Sequence, residues 1–277
     1  MGKKLLLISM CMALALLAFV WGAKQGQAAP VLNPLVDLSK PNYAYSPPLR
    51  KFMDSLPGLT SAGTNSIGQY IPIATPGILS GFPNDDYYEI ALVEYREQLH
   101  RDLPPVTGTW PTQTGGTKLR GYVQLVQGTS TFVTPPHYLG PLIIGTKNKP
   151  VRIKFVNMLP PTASGGDLFL PVDTTIMGAG MGSLDAGGNP CDPAGGACAM
   201  YTQNRATLHL HGGLPAWTSD GTALQWITPA GEITPFKKGD SAQNVPDMAV
   251  PAAGAVTFHW PTSRAGGSCS TMTMPTA

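Results

Sequence analysis

Charge is scarce in this sequence. Only 12% of its 277 residues are charged, and they nearly cancel to a net +2. A surface so dilute and balanced offers no basic field to nucleic acid or to an anionic membrane. Beyond the first twenty residues no apolar run approaches the ~20 residues that a helical membrane span needs. No glycine-rich phosphate cradle stands between a strand and a helix, and no Gly-x-Ser-x-Gly turn occurs, so nucleotide-binding and serine-hydrolase readings lose their usual support. Internal repeats and long amphipathic helices are also missing. Cysteine is sparse, at four residues.

What is abundant points to strands. Hydrophobic residues make up 43% of the chain, which argues against disorder, and 32 glycines with 28 prolines supply turns. That combination predicts an all-β chain of short strands joined by loops, folded as a Greek-key β-sandwich with antiparallel pairing. At the amino terminus, Lys3 and Lys4 precede an apolar run from Leu5 to Val20, and Gly26-Gln27-Ala28 forms a small-x-small site. This pattern predicts a signal peptide over 1–28, cleavage before Ala29, and a periplasmic or secreted protein with no membrane attachment after cleavage; an uncleaved anchor is the competing reading. Cys11 lacks the small neighbours of a lipoprotein site. Export permits disulfides, and Cys191 and Cys198, seven apart in a flexible loop, are expected to staple it, against two free thiols or a cysteine metal site. Cys269 has no obvious partner.

Along the chain, 29–86 reads as an extended Pro/Gly-rich lead-in with a short helical candidate at Pro48–Leu56. Strands are expected from Tyr87 through Tyr95, over Gly121–Gln127, over Pro141–Gly145 and over Val151–Asn157, the last with Val151, Ile153 and Phe155 inward and Arg152 and Lys154 in water. Residues 160–205 form a glycine-rich insertion whose Met177, Met181 and Met200 are expected to pack rather than to hold copper. A final strand covers Ala255–Trp260. Between them lies Thr207-Leu208-His209-Leu210-His211-Gly212-Gly213. Strand alternation sends Leu208 and Leu210 to the core and Thr207, His209 and His211 to the other face. Imidazoles two residues apart on a strand stand roughly 6.5 to 7 Å from each other, better placed to reach two ions than to chelate one. Two half-buried strand histidines with ordinary hydrogen bonds remain the plain alternative.

The ordered set Leu49-Arg50-Lys51-Phe52-Met53-Asp54-Ser55-Leu56-Pro57, Tyr87-Tyr88-Glu89, Gln98-Leu99-His100-Arg101-Asp102-Leu103-Pro104-Pro105, Gly140-Pro141, Asn157-Met158-Leu159-Pro160, His209-Leu210-His211-Gly212-Gly213, Ser219-Asp220-Gly221 and Trp226 resembles the amino-terminal part of a multicopper oxidase. It is most similar to the spore-coat laccase and bilirubin oxidase branch. The resemblance covers most of the chain after the signal segment and implies a cupredoxin-like first domain over 87–277. It further implies that His209 ligates a type 2 copper and His211 a type 3 copper of a trinuclear cluster, while Asp220 relays protons to dioxygen. Asp220 as a turn aspartate bonded to its own backbone is the competing reading. His100 and His137 match no ligand position, and His259 reads as a surface or satisfied histidine. The implied activity is one-electron oxidation of a small phenolic, pyrrolic or metal-ion donor, coupled to reduction of dioxygen to water.

From about residue 262 the chain departs from that family. A member continues with Tyr-His-Asp-His-Ala; this chain gives Ser268-Cys269-Ser270-Thr271-Met272-Thr273-Met274-Pro275-Thr276-Ala277. Read from the third base of each codon, Met272 into Thr273 must encode Asp and Met274 into Pro275 must encode Ala. The flanking pairs permit Tyr, His and His. The expectation is therefore a frameshifted tail and a sandwich incomplete at its carboxyl end, an oxidase fragment inactive alone. A stand-alone periplasmic cupredoxin-like copper-binding protein is the alternative, and a metal-free secreted sandwich the third reading. Sequencing across these codons decides the tail: a shifted frame without the two histidine codons ends the idea.

Overall fold

Sixteen residues from Phe82 to Glu97 form the strand on which the others assemble. In this computed structural model, residues 49–263 are described. The segment read as a signal peptide, the first part of the lead-in, Cys11, Cys269 and the tail from 264 lie outside the described residues. In chain order the strands are β1 (Gly77–Leu79), β2 (Phe82–Glu97), β3 (Val106–Thr107), β4 (Thr114–Gly115), β5 (Thr117–Gln124), β6 (Val151–Asn157) and β7 (Ala255–Trp260). β3 and β4 pair only with each other; the remaining five make one sheet.

The length of β2 follows from apolar residues on both of its faces. Tyr88, Ile90 and Leu92 enter one core with Ile153, Phe155, Val256, Phe258 and Trp260, while Ala91, Val93 and Tyr95 enter a second with Val123 and Leu125. A sheet buried on both faces reads as a continuous apolar run rather than a half-wet alternation. β1 and β5 share one edge of β2, because Tyr87 pairs with Gly77 and Ile90 with Gln124, whereas β6 takes the opposite edge through Asp86–Leu92. β7 then closes antiparallel on β6, from Val151 against Trp260 to Val156 against Ala255. The layered, nearly all-β architecture agrees with the expected sandwich.

Several expectations need correction. The sheet is mixed rather than antiparallel, since β2 and β6 run parallel. Parallel neighbours require a long crossover, and the connection from β2 to β6, which passes through β3, β4 and β5, supplies it without an α-helix. β2 begins at Phe82, and β1 precedes it, so the sheet starts inside the stretch read as lead-in. Over its described residues the Pro48–Leu56 candidate is a turn with Phe52 at φ 58°; the Arg50–Asp102 and Arg101–Asp54 ion pairs tie it to the 100–102 loop instead. Pro141–Gly145 contributes one bridge, Leu142 to Ile73, because Pro141 has no N–H for a ladder.

Arg152 is buried, not in water. Its guanidinium meets Asp85 at 2.6 Å and Asp247 at 2.8 Å and lies 3.6 Å from the Phe82 ring centre. Within 160–205, Cys191 and Cys198 are disulfide-bonded as expected. The chain around them doubles back as an irregular hairpin with Met181 opposite Met200. The three methionines do not pack in a core: Met177 is fully exposed, and Met181 and Met200 are also exposed.

Candidate metal centre

The histidine segment is anchored from the apolar side. Leu208 is fully buried in the main core and Leu210 packs against it. Upstream, Ala206 and Ile227 exchange both backbone hydrogen bonds, at 3.0 and 2.9 Å. The Asn157 amide, at the end of β6, donates to the carbonyls of Asn204 and Ile227 at 2.8 and 3.0 Å, so one side chain fixes both arms of that bridge to the sheet. Glu232 accepts from Asn204 Nδ2 at 2.5 Å and from the Thr162 N–H at 2.8 Å. A buried polar network with such partners specifies position because each broken bond strands a polar atom.

The segment itself runs extended without a regular ladder, and Thr207 is fully buried, not on an open face with the imidazoles. Tyr122 Oη, 3.5 Å from the Thr207 carbonyl, lies over that end. The imidazoles do emerge. His209 is half-exposed and His211 exposed, with ring centres 5.8 Å apart and planes at 81°.

A second loop orients the first ring. Residues Trp217–Ser219 form a 3-10 turn that Asp220 terminates. Ser219 is buried there: its Oγ accepts the His259 N–H at 3.0 Å and its carbonyl accepts Trp260 Nε1 at 2.9 Å, so β7 holds the turn. Gln225 completes it by donating to the Trp217 carbonyl at 2.7 Å and accepting the Thr222 N–H at 2.8 Å. Gly221 then brings the chain against the histidine segment. It adopts φ +75°, and a Cβ there would lie 1.7 Å from the Leu208 carbonyl oxygen.

This approach delivers the Asp220 carbonyl to His209 Nδ1 at 2.5 Å. A carbonyl only accepts, so Nδ1 carries a proton, and in the neutral ring Nε2 is the nitrogen with the free lone pair. An imidazole oriented through Nδ1–H to a backbone carbonyl is the arrangement metal-ligating histidines adopt. The residues therefore fit a copper ion bound through His209 Nε2. The Asp220 carboxylate is 3.7 Å from His209 Nδ1 and partly exposed. Among the described residues no group of three or more His, Cys, Asp or Glu could hold a metal ion by itself.

The other histidines are committed elsewhere. His100 contacts the Arg50 carbonyl at 2.8 Å and receives the Asp102 N–H at 3.0 Å. His137 pairs with Glu97 at 2.9 Å under the Tyr70 ring, and its Nε2 is buried without a partner. His259 sits opposite Arg152 in the sheet; burial first, then the Arg152 charge, push its pKa down. Sequence reasoning missed Asn157, Ser219 and Gln225 as positioning residues. Asn157 and Ser219 fall in matched motifs, but nothing local in the sequence signals their distant partners.

Among proteins of known identity, the chain is 30% identical to a laccase of Bacillus stratosphericus over 190 residues, covering 68% of this chain and 25% of that relative. It is also 30% identical to a laccase of Bacillus subtilis (strain 168) over 148 residues, covering 53% of this chain and 20% of the relative. The chain thus spans about a quarter and a fifth of the length of these curated relatives. No family model matches it.

Proposed function

The chain belongs to the multicopper oxidase family, and on that premise we propose that it supplies the first imidazoles of a trinuclear copper cluster, His209 to a type 2 and His211 to a type 3 copper. Copper is the cofactor the family implies, and when bound it supplies one-electron redox chemistry toward dioxygen. The chain's own residues bind and orient. Leu208 anchors the histidine segment in the core, and Asp220 fixes the His209 ring through its carbonyl and keeps a carboxylate alongside as a proton relay. Gly212, at φ 84°, turns the chain away after His211.

The single observation that carries this reading is the His209 Nδ1 bond to the Asp220 carbonyl, which leaves Nε2 bare and the neighbouring His211 ring 5.8 Å away. Because the described residues offer two imidazoles and no third ligand group, the remaining ligands belong to other parts of a complete oxidase. The chain alone turns nothing over. In that complete enzyme, a phenolic, pyrrolic or metal-ion donor gives single electrons and dioxygen becomes water. Export by the 1–28 segment places it in the periplasm or outside the cell. Among the described residues no helix is long and apolar enough to cross a membrane.

Copper titration by calorimetry tests the proposal. Weak uptake, with Kd above about 1 μM, that disappears in His209→Ala and in His211→Ala is the expected result. Tight stoichiometric uptake through the same residues supports the stand-alone copper-binding protein instead. Uptake indifferent to both substitutions overturns both readings and leaves the metal-free sandwich.

A further inference from the structure

The glycine-rich insertion and the loops after Asp220 line a partly open cavity of about 410 Å³ that the imidazole pair does not touch. Its size falls within the ~300–1,000 Å³ of small-molecule pockets. Aromatic rings make much of its wall: Tyr201 stands edge-on to Trp226 at 5.9 Å and tilted over Phe236 at 4.4 Å. Arg205 lies among them, its guanidinium carbon 4.7 Å from the Tyr201 ring centre and 4.8 Å from that of Trp226.

That guanidinium is unusual in its partners. Nε donates to the Thr202 carbonyl at 2.7 Å and one Nη to the Gly178 carbonyl at 2.9 Å. Among the described residues it forms no ion pair. A guanidinium has five N–H donors, so donors remain for an acceptor that the chain does not provide. Burial lowers the Arg205 pKa from its usual value, the mark of a cation paying desolvation without a facing carboxylate. The lining also includes Lys238 and the exposed Asp240, which leaves one net positive charge. Met177, fully exposed on the protein surface, reaches the same cavity, where its thioether can cover the edge of a ring.

We propose that this cavity is a second small-molecule site, which binds an aromatic carboxylate with the carboxylate on Arg205 and the ring against Tyr201, Trp226, Phe236 and Met177. A planar guanidinium matches a planar carboxylate in two parallel hydrogen bonds. Aromatic walls give a hydrophobic ring more than they give a bare inorganic anion. The site is built from a cation, apolar walls and a cavity partly open to solvent, and stands whether or not copper binds to His209 and His211.

Benzoate, benzyl alcohol and acetate titrated separately into the full-length chain, with the disulfide intact, test it by calorimetry and by the indole N–H resonance of Trp226. Benzoate is expected to bind saturably, at least tenfold tighter than benzyl alcohol or acetate, and to shift that resonance. Arg205→Gln is expected to weaken benzoate at least tenfold, while Met177→Ala, on an exposed side chain, weakens it severalfold with folding untouched. Equal affinity for benzoate and benzyl alcohol overturns the role of the guanidinium; equal affinity for benzoate and acetate overturns the aromatic wall. No saturation up to about 10 mM benzoate, or unchanged binding by a folded Arg205→Gln, overturns the site. Should Arg205→Gln fail to fold, the three-ligand comparison on the native chain and on Met177→Ala decides alone.

Discussion

Gly221 brings the two halves of the candidate metal centre together because it has no side chain. Its φ of +75° and the 1.7 Å gap to the Leu208 oxygen leave no room for a Cβ. Gly221→Ala is expected to cost about 2 kcal/mol or more, since strain and overlap add. It should also loosen the Asp220 carbonyl from His209 and so weaken copper uptake. Urea denaturation reads the first effect and copper titration the second; a variant of native stability and native copper uptake refutes the account. His259 gives a prediction in pH. Its folded pKa lies below the ordinary value of about 6.5, chiefly through burial. The unfolded chain therefore binds the proton more readily, so the stability contributed by neutral His259 is present above that value and is lost as pH falls through the folded pKa. The denaturation midpoint should drop on acidification below pH ~6.5, and His259→Gln should flatten the decline in that window. At this scale the sequence displayed His209 and His211 plainly, since their spacing and the glycines are local. Ser219 was hidden because its partners, His259 and Trp260, lie forty residues away, and Gln225 because its bonds to Trp217 and Thr222 follow from the shape of the turn rather than from a motif.

Among the elements, β6 shows where alternation misleads. Val151, Ile153 and Phe155 are buried as the pattern predicts, yet Arg152 is buried too, under Phe82 and between Asp85 and Asp247. A polar position in an alternating strand states which face it occupies, not whether another segment covers that face. Arg152→Ala is expected to cost about 3 kcal/mol, because it strands the largely buried Asp85. Asp247→Asn should cost under about 1 kcal/mol, as that carboxylate is more than half exposed. Thermal denaturation of the two variants checks the ranking, and equal losses would contradict it. β2 was recognisable because both faces are apolar. Its parallel pairing with β6 was not, because periodicity carries no information about direction or neighbour.

For the whole molecule, the disulfide is the covalent constraint visible among the described residues. Cys191 and Cys198 close a short loop at the end of an irregular hairpin. Reduction, or Cys191→Ser with Cys198→Ser, is expected to cost about 2 kcal/mol by the chain-entropy argument. Hydrogen exchange should speed up first around 180–201, with the β2–β6–β7 core protected until global unfolding. Simultaneous loss of protection in both regions would mean that the loop is integral to the sandwich.

By itself the sequence determined the all-β class, the strands with apolar periodicity, the staple between two cysteines seven apart, and the histidine pair. Each of these is set by residues close together in the chain. The tertiary structure alone decided the mixed sheet, the burial of Arg152, the carbonyl that fixes the His209 tautomer, and the cavity around Arg205. Each of those needs segments that meet only when the chain is folded, from eleven residues apart for His209 and Asp220 to nearly a hundred for Arg152 and Asp247, and packing rather than local pattern selects which ones do.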